Sequence, residues 1–321
     1  MNSRKLSAYA ATVLAWTAYF TATLLAPKAA GSNPWGISPL GLLLLQLSIA
    51  LPYLLTWLAG CYGVLTLRTA VRTMPDKEDA KSFARIADGV LVLLCGLVVT
   101  SFLSAARSYL RDAPQATASL TILTNYVYIL APLVGFSFIY IGSGHLRRGT
   151  SAADLPRGWG ALGALILGSF AALYAWLIYT NPTRQVSTEA GIQASYYLPD
   201  ALIVATIVLP FLASCVVGLL AVLRLARYYR GVSGYVYKKS TLYFIDGLLF
   251  VIFGAVLLQA LQSLGSSRLL GIGLGPLLLV IYAFLIAQGL GFVFVALGAK
   301  QLSAIERVMS KYAPAEKHGN A

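Results

Sequence analysis

The chain has 321 residues, 58% of them hydrophobic and only 11% charged, where a soluble domain carries roughly 25% charged residues. That balance excludes an ordinary water-soluble globule and makes lipid the solvent of most side chains. The formal charge of +13 would suggest nucleic acid in a soluble protein, but no basic stripe interleaved with aromatics and no recognition module is present.

A helix that crosses a bilayer core needs about 20 apolar residues, and runs of that kind occupy 7–26, 39–67, 86–107, 119–143, 161–180, 201–226, 243–264 and 274–299. They predict an all-α, polytopic integral membrane protein with eight transmembrane helices. A barrel is excluded because the runs are continuous rather than alternating, and a helix satisfies its own backbone in hydrocarbon. The first run follows Arg4 and Lys5 and so resembles a secretory signal. Lys28, however, stands where cleavage after Ala30 requires a small residue, so a retained helix is expected.

The second run contains Pro52, whose missing backbone donor favours a bend near the outer third of the helix. Ahead of the third lies Lys81-Ser82, with Asp88-Gly89 seven residues after the lysine and Arg72 upstream. Seven residues are two helical turns, so Lys81 and Asp88 share a face. After the fourth run comes a polar linker rich in Gly and Pro at 147–160. The entry and first half of the fifth run hold Gly160, Ala164, Gly168 and Ala172, a stripe of small residues expected to let a neighbouring helix approach. The sixth run carries Pro210 and is followed by Arg230. The seventh begins with a second Lys239-Ser240 and Asp246-Gly247. The eighth contains Gln288, and a polar tail follows at 304–321. Cys61, Cys95 and Cys215 lie within runs, unspaced for metal or disulfide, and read as small buried hydrophobes.

The order is repetitive. A shift of 158 places Leu51, Pro52, Gly60 and Arg72 on Leu209, Pro210, Gly218 and Arg230, and Lys81, Ser82, Asp88 and Gly89 on Lys239, Ser240, Asp246 and Gly247. A shift of 160 aligns Ala15, Trp16 and Tyr19 with Ala175, Trp176 and Tyr179, and one of 156 aligns Tyr126, Gly135, Phe136 and Gly142 with Tyr282, Gly291, Phe292 and Gly298. Self-similarity at a near-constant offset predicts a duplicated unit: a four-helix repeat at 1–146, the linker, and a second repeat at 161–303. Each unit holds an even number of spans, so the second enters the membrane in the orientation of the first, as parallel repeats about a pseudo-twofold axis along the membrane normal. All but a few of the 24 Lys and Arg fall in the termini and the even-numbered loops, which places both termini in the cytoplasm of a plasma (inner) membrane.

Asp88 and Asp246 are the only carboxylates inside apolar runs, and an intramembrane ionisable residue is a functional candidate. Their depth, near the start of each run, also fits a plainer role: anchoring the helix ends to Arg72 and Arg230 or to Lys81 and Lys239, with help from the helix dipole. Gln288 falls where the first repeat has Pro132, a local asymmetry on the expected axis. With two histidines in the chain a multi-histidine metal site or haem is not expected. The Gly271, Gly273, Gly275 run has no strand before it and fails as a dinucleotide loop. No enzymatic activity and no cofactor are expected.

Two functional readings remain. One is a small-solute or ion translocator with a pathway between the repeats, using Asp88, Asp246, Lys81, Lys239, Arg72, Arg230, Pro52, Pro210 and Gln288 for translocation or gating. The other is a non-transporting scaffold or accessory subunit of a membrane complex. The matched prolines and carboxylates favour the first. A polar cavity between the second, third, sixth and seventh helices would support it, and a dry seam would support the second. Expected partners are the bilayer, anionic lipid at the cytoplasmic face, and a further copy or another membrane protein; nucleic acid is not one.

Overall fold

A computed structural model describes residues 3–29, 38–74, 77–110, 114–146, 164–165, 168, 171–172, 183–188, 191–196, 209–231, 235–266 and 274–312. Within them lie seven helices, α1 (Ser3–Ala29), α2 (Pro39–Thr73), α3 (Lys77–Tyr109), α4 (Pro114–His145), α5 (Leu209–Gly231), α6 (Tyr235–Ser266) and α7 (Leu274–Tyr312), and one antiparallel hairpin, β1 (Thr183–Thr188) with β2 (Gly191–Tyr196). Among the described residues, stretches long and apolar enough to cross a membrane occur in six helices, α1, α2, α3, α4, α5 and α7. Of the predicted fifth span only Ala164, Leu165, Gly168, Ala171 and Ala172 are described, all helical and exposed, and the linker at 147–160 lies outside the described residues.

Local chemistry sets several boundaries beyond the apolar runs. The α2 helix opens on Ser38, whose side chain accepts a hydrogen bond from the Gly41 backbone nitrogen at 3.1 Å, with Pro39 in the first turn where its missing donor costs nothing. It continues through Pro52 to Thr73. Glu78 and Asp79 occupy the first turn of α3, where the dipole favours negative charge, so the helix starts at Lys77 instead of residue 86. The same extension occurs at α6, which starts at Tyr235, and at α7, which continues to Tyr312 into the segment expected to be a polar tail from 304. The hairpin was not expected. Its register runs from Thr183 opposite Tyr196 to Thr188 opposite Gly191, and the signal available for it was the run of Thr, Val, Ile and Tyr on either side of a two-residue connection.

Many large apolar side chains point outward, Leu14 at 70%, Leu223 at 53%, Phe253 at 56% and Ile286 at 59% exposure, far more than water would tolerate as a continuous surface. Outward apolar faces on helices of this length point to a lipid environment. In lipid the hydrophobic effect does not drive helices together, and close packing of small residues must do so. Glycine supplies it here. A Cβ added to Gly89 of α3 would lie 2.5 Å from the Gly135 carbonyl oxygen of α4, and one on Gly135 would lie 2.9 Å from the Gly89 oxygen. Between α6 and α7 the same approach recurs: 2.7 Å from Gly247 to the Gly291 oxygen and 2.9 Å in return. Two turns away Gly142 faces the Ser82 carbonyl at 2.6 Å, and Gly298 faces that of Ser240 at 3.0 Å.

The α2 helix packs on α7, and α5 on α4. Phe292 of α7 closes on Gly60 of α2, and Phe136 of α4 closes on Gly218 of α5, at 3.0 and 2.9 Å from the added Cβ. Tyr128 and Phe284, equivalent under the 156-residue shift, touch each other with ring centroids 6.5 Å apart. Rings continue outward from Phe284 through Tyr53 to Tyr19 and Trp57, with centroid spacings of 6.5, 5.7 and 5.8 Å, and so tie α1 to α2 and α7. Trp16 adds a hydrogen bond from its indole nitrogen to the Ala50 carbonyl at 2.7 Å.

Candidate functional site

The structure separates the sequence candidates into two groups. Asp88 lies about three turns into α3, not at its N-terminus, so the dipole does not hold it. Arg68 does: one of its terminal nitrogens donates to an Asp88 carboxylate oxygen at 2.7 Å, with the two side chains 48% and 46% exposed. The partner is therefore one turn before the expected Arg72, because the early start of α3 lets it run beside the last turns of α2. Arg72, Arg230 and Lys81 are exposed. Asp246 sits at the matching depth of α6 but carries no ion pair among the described residues. The residue matching Arg68 is Ala226, which has no charge to offer.

The repeated Lys-Ser and Asp-Gly elements act mainly through their small members. Ser82 and Gly89, like Ser240 and Gly247, are the points where α3 meets α4 and α6 meets α7. The Ser240 hydroxyl donates across that contact to the Gly298 carbonyl at 2.8 Å, whereas that of Ser82 donates back to Glu78 at 3.0 Å within its own helix. Lys239 is half-buried, and its neighbour Lys238 lies 5.9 Å from the Tyr229 ring centre.

Gln288 and the prolines form the second group. Gln288 is buried, at 4% exposure, and its amide nitrogen donates to the Val251 carbonyl of α6 at 3.0 Å. Val251 matches Leu93 of α3, which packs near Pro132, so the side-chain bond between α6 and α7 has no counterpart at the equivalent place between α3 and α4. Pro132 withdraws the helical donor from the Tyr128 carbonyl. A cavity of about 30 Å³ lies at this level, lined by Leu93, Leu97, Pro132, Val251, Ala255 and Gln288 among others. It has room for about one or two waters. Its walls are mostly apolar and come from α3, α4, α6 and α7, not from the α2, α3, α5 and α6 helices expected of a pathway. Pro52 stays inside α2, where its carbonyl accepts from the Thr56 hydroxyl at 2.8 Å, and Pro210 is the second residue of α5 as described.

Arg224 is the residue that sequence reading missed. It sits near the end of the apolar part of α5, with its guanidinium carbon 3.4 Å from the centre of the Tyr140 ring and a nitrogen donating to the Tyr140 carbonyl at 3.3 Å. The sequence signal was an arginine at 224 inside the predicted sixth span, hidden by counting it with the loop that follows. Of the cysteines, Cys215 is buried and Cys61 half-buried, but Cys95 faces outward, contrary to expectation. Among the described residues no group of His, Cys, Asp and Glu is arranged to hold a metal ion.

Three comparisons with known proteins bear on this arrangement only by their outcome: no family model, no curated protein and no solved structure matches the chain.

Proposed function

From a chain whose apolar helices mark it as a membrane protein and which matches no known family, we propose an eight-span integral protein of two like-oriented four-helix halves. The halves are 1–146 and 161–303, related by a pseudo-twofold axis along the membrane normal, with 147–160 and the residues from 304 onward in the cytoplasm of a plasma membrane. Matched contacts support this duplication: Gly89 with Gly135 and Gly247 with Gly291, Gly60 with Phe292 and Gly218 with Phe136, and Tyr128 against Phe284 on the axis. Two independent helix pairs repeating the same approach at the same offsets is what a duplicated gene produces. The distribution of Lys and Arg supports the orientation.

The role we assign is that of a non-enzymatic membrane scaffold or accessory subunit, offering lipid-facing helices and a basic cytoplasmic rim to another copy or another membrane protein. One observation carries this reading: among the described residues, the space bordered by α3, α4, α6 and α7 is a small, mostly apolar cavity of about 30 Å³, where a translocator would keep a polar route. The test is reconstitution of the full chain into proteoliposomes with a panel of ions and small solutes. Leak no greater than in protein-free vesicles is the expected outcome. Selective flux that falls with the double change Asp88→Asn and Asp246→Asn would overturn the scaffold and restore translocation.

Translocation keeps one specific support. Buried Gln288 and the Tyr128 carbonyl deprived of its donor by Pro132 both border this cavity, and polar groups held inside a membrane bundle are candidates for a solute route. In that case Asp88, Asp246, Lys81, Lys239, Arg72 and Arg230 would form the charged vestibule at one end of the route, with Pro52 and Pro210 at the other.

A further inference from the structure

Arg224 poses a problem of charge. A guanidinium offers five N–H donors, and the Tyr140 carbonyl takes one of them while the ring covers one face. Among the described residues no carboxylate pairs with it, and Arg227, one turn on, adds a second positive charge on an exposed side chain. The equivalent place on the opposite seam holds Thr66 and Ala296, both buried and uncharged, so packing of the halves does not require an arginine there. Arginine within an apolar span is costly unless it reaches the interface or meets an anion. The flanking residues of α5 are apolar and outward: Leu220, one turn earlier, is 37% exposed and Leu223 is 53% exposed.

An apolar surface for acyl chains, ending at a cation held flat by a tyrosine ring, has the chemistry of a phospholipid site. We propose that Arg224, oriented by Tyr140 and assisted by Arg227, binds the phosphate of an anionic phospholipid beside the contact of α4 with α5. The planar fork matches two phosphate oxygens at once, and Arg227 supplies longer-range attraction. This site depends on α5 spanning a membrane and is independent of whether the protein assembles with a partner or carries a solute.

The experiment is native mass spectrometry of the full chain released from nanodiscs of mixed phosphatidylglycerol and phosphatidylcholine. The wild type should retain phosphatidylglycerol in preference to phosphatidylcholine, and Arg224→Ala should reduce the retained fraction about fivefold, the loss of one basic contact at a membrane surface. Arg230→Ala, an exposed arginine further along α5, should reduce it much less. Equal losses in the two variants would mean a diffuse basic surface and overturn the site. So would unchanged retention in Arg224→Ala, which would place the compensating charge inside the protein, or displacement of the lipid by millimolar inorganic phosphate, which would make the ligand a free anion. If Arg224→Ala fails to fold, Arg224→Lys keeps the charge and removes the fork: reduced retention is expected, and wild-type retention would overturn the proposal.

Discussion

Replacing Gly89 by alanine tests the packing on which the helical pairs depend. The new methyl would sit 2.5 Å from the Gly135 carbonyl oxygen and 2.6 Å from Ile139 Cγ1. The oxygen belongs to the backbone of a neighbouring helix, so relief requires α3 and α4 to separate over their whole contact. Overpacking of that kind costs about 1–3 kcal/mol, and a rigid obstacle argues for the upper half of the range. Alanine returns about 1 kcal/mol of helix propensity, leaving a net loss of about 1–2 kcal/mol, a factor of roughly 5–30 in the folded-to-unfolded ratio. Gly247→Ala should cost a similar amount, since its Cβ would meet the Gly291 oxygen at 2.7 Å. The two losses should add, because the sites share no partner. Gly168, with nothing among the described residues within 4 Å of an added Cβ, provides the control, and Gly168→Ala should be neutral or slightly stabilising. Equilibrium unfolding in mixed micelles reads all four proteins on one scale. If Gly89→Ala and Gly247→Ala both unfold like the wild type, the helices do not approach as described. If only one is destabilised, the two pairs are not equivalent and the argument for duplication fails.

Three further outcomes follow from single contacts. The Arg68–Asp88 pair is nearly half exposed, so Asp88→Asn should lower stability by less than about 1 kcal/mol, while Ala226→Arg should give Asp246 the missing partner and raise stability by a comparable amount; thermal unfolding of both variants checks this. Gln288→Leu removes one interhelical hydrogen bond, and the loss should be about 0.6 kcal/mol; in the same assay, a loss above about 2 kcal/mol would mean that the amide holds more than the Val251 carbonyl. The Trp57 ring is 1% exposed and its indole nitrogen has no hydrogen-bond partner among the described residues, so Trp57→Phe should cost far less than the roughly 3–5 kcal/mol expected of Trp57→Ala, and equal losses would reveal an unrecognised acceptor.

Much of the architecture could be read from residue types alone. Apolar runs of bilayer length do not depend on neighbours for their meaning, so the positions of α1 to α4 and α7 were legible, and paired residues such as Gly89 and Gly247 stood out by their spacing. Helix ends were less legible, because Glu78 and Asp79 start α3 through polar residues that an apolar count discards. The hairpin at Thr183–Tyr196 escaped for the same reason in reverse: a short polar stretch between long apolar runs reads as loop unless strand propensity is weighed.

Side-chain partnership was not legible. Asp88 had several basic residues within reach along the chain, and only the path of α3 beside α2 selects Arg68 over Arg72. Arg224 and Tyr140 are 84 residues apart, and nothing in either local sequence announces the other. The sequence by itself determined that lipid is the solvent, where helices form, and which positions recur in pairs, since these follow from side-chain chemistry and spacing. The tertiary structure alone decided that the recurring Ser and Gly residues are contact points and that the cavity beside Gln288 is small and mostly apolar. Those outcomes depend on how closely two helix backbones approach, a distance set jointly by residues remote in the chain.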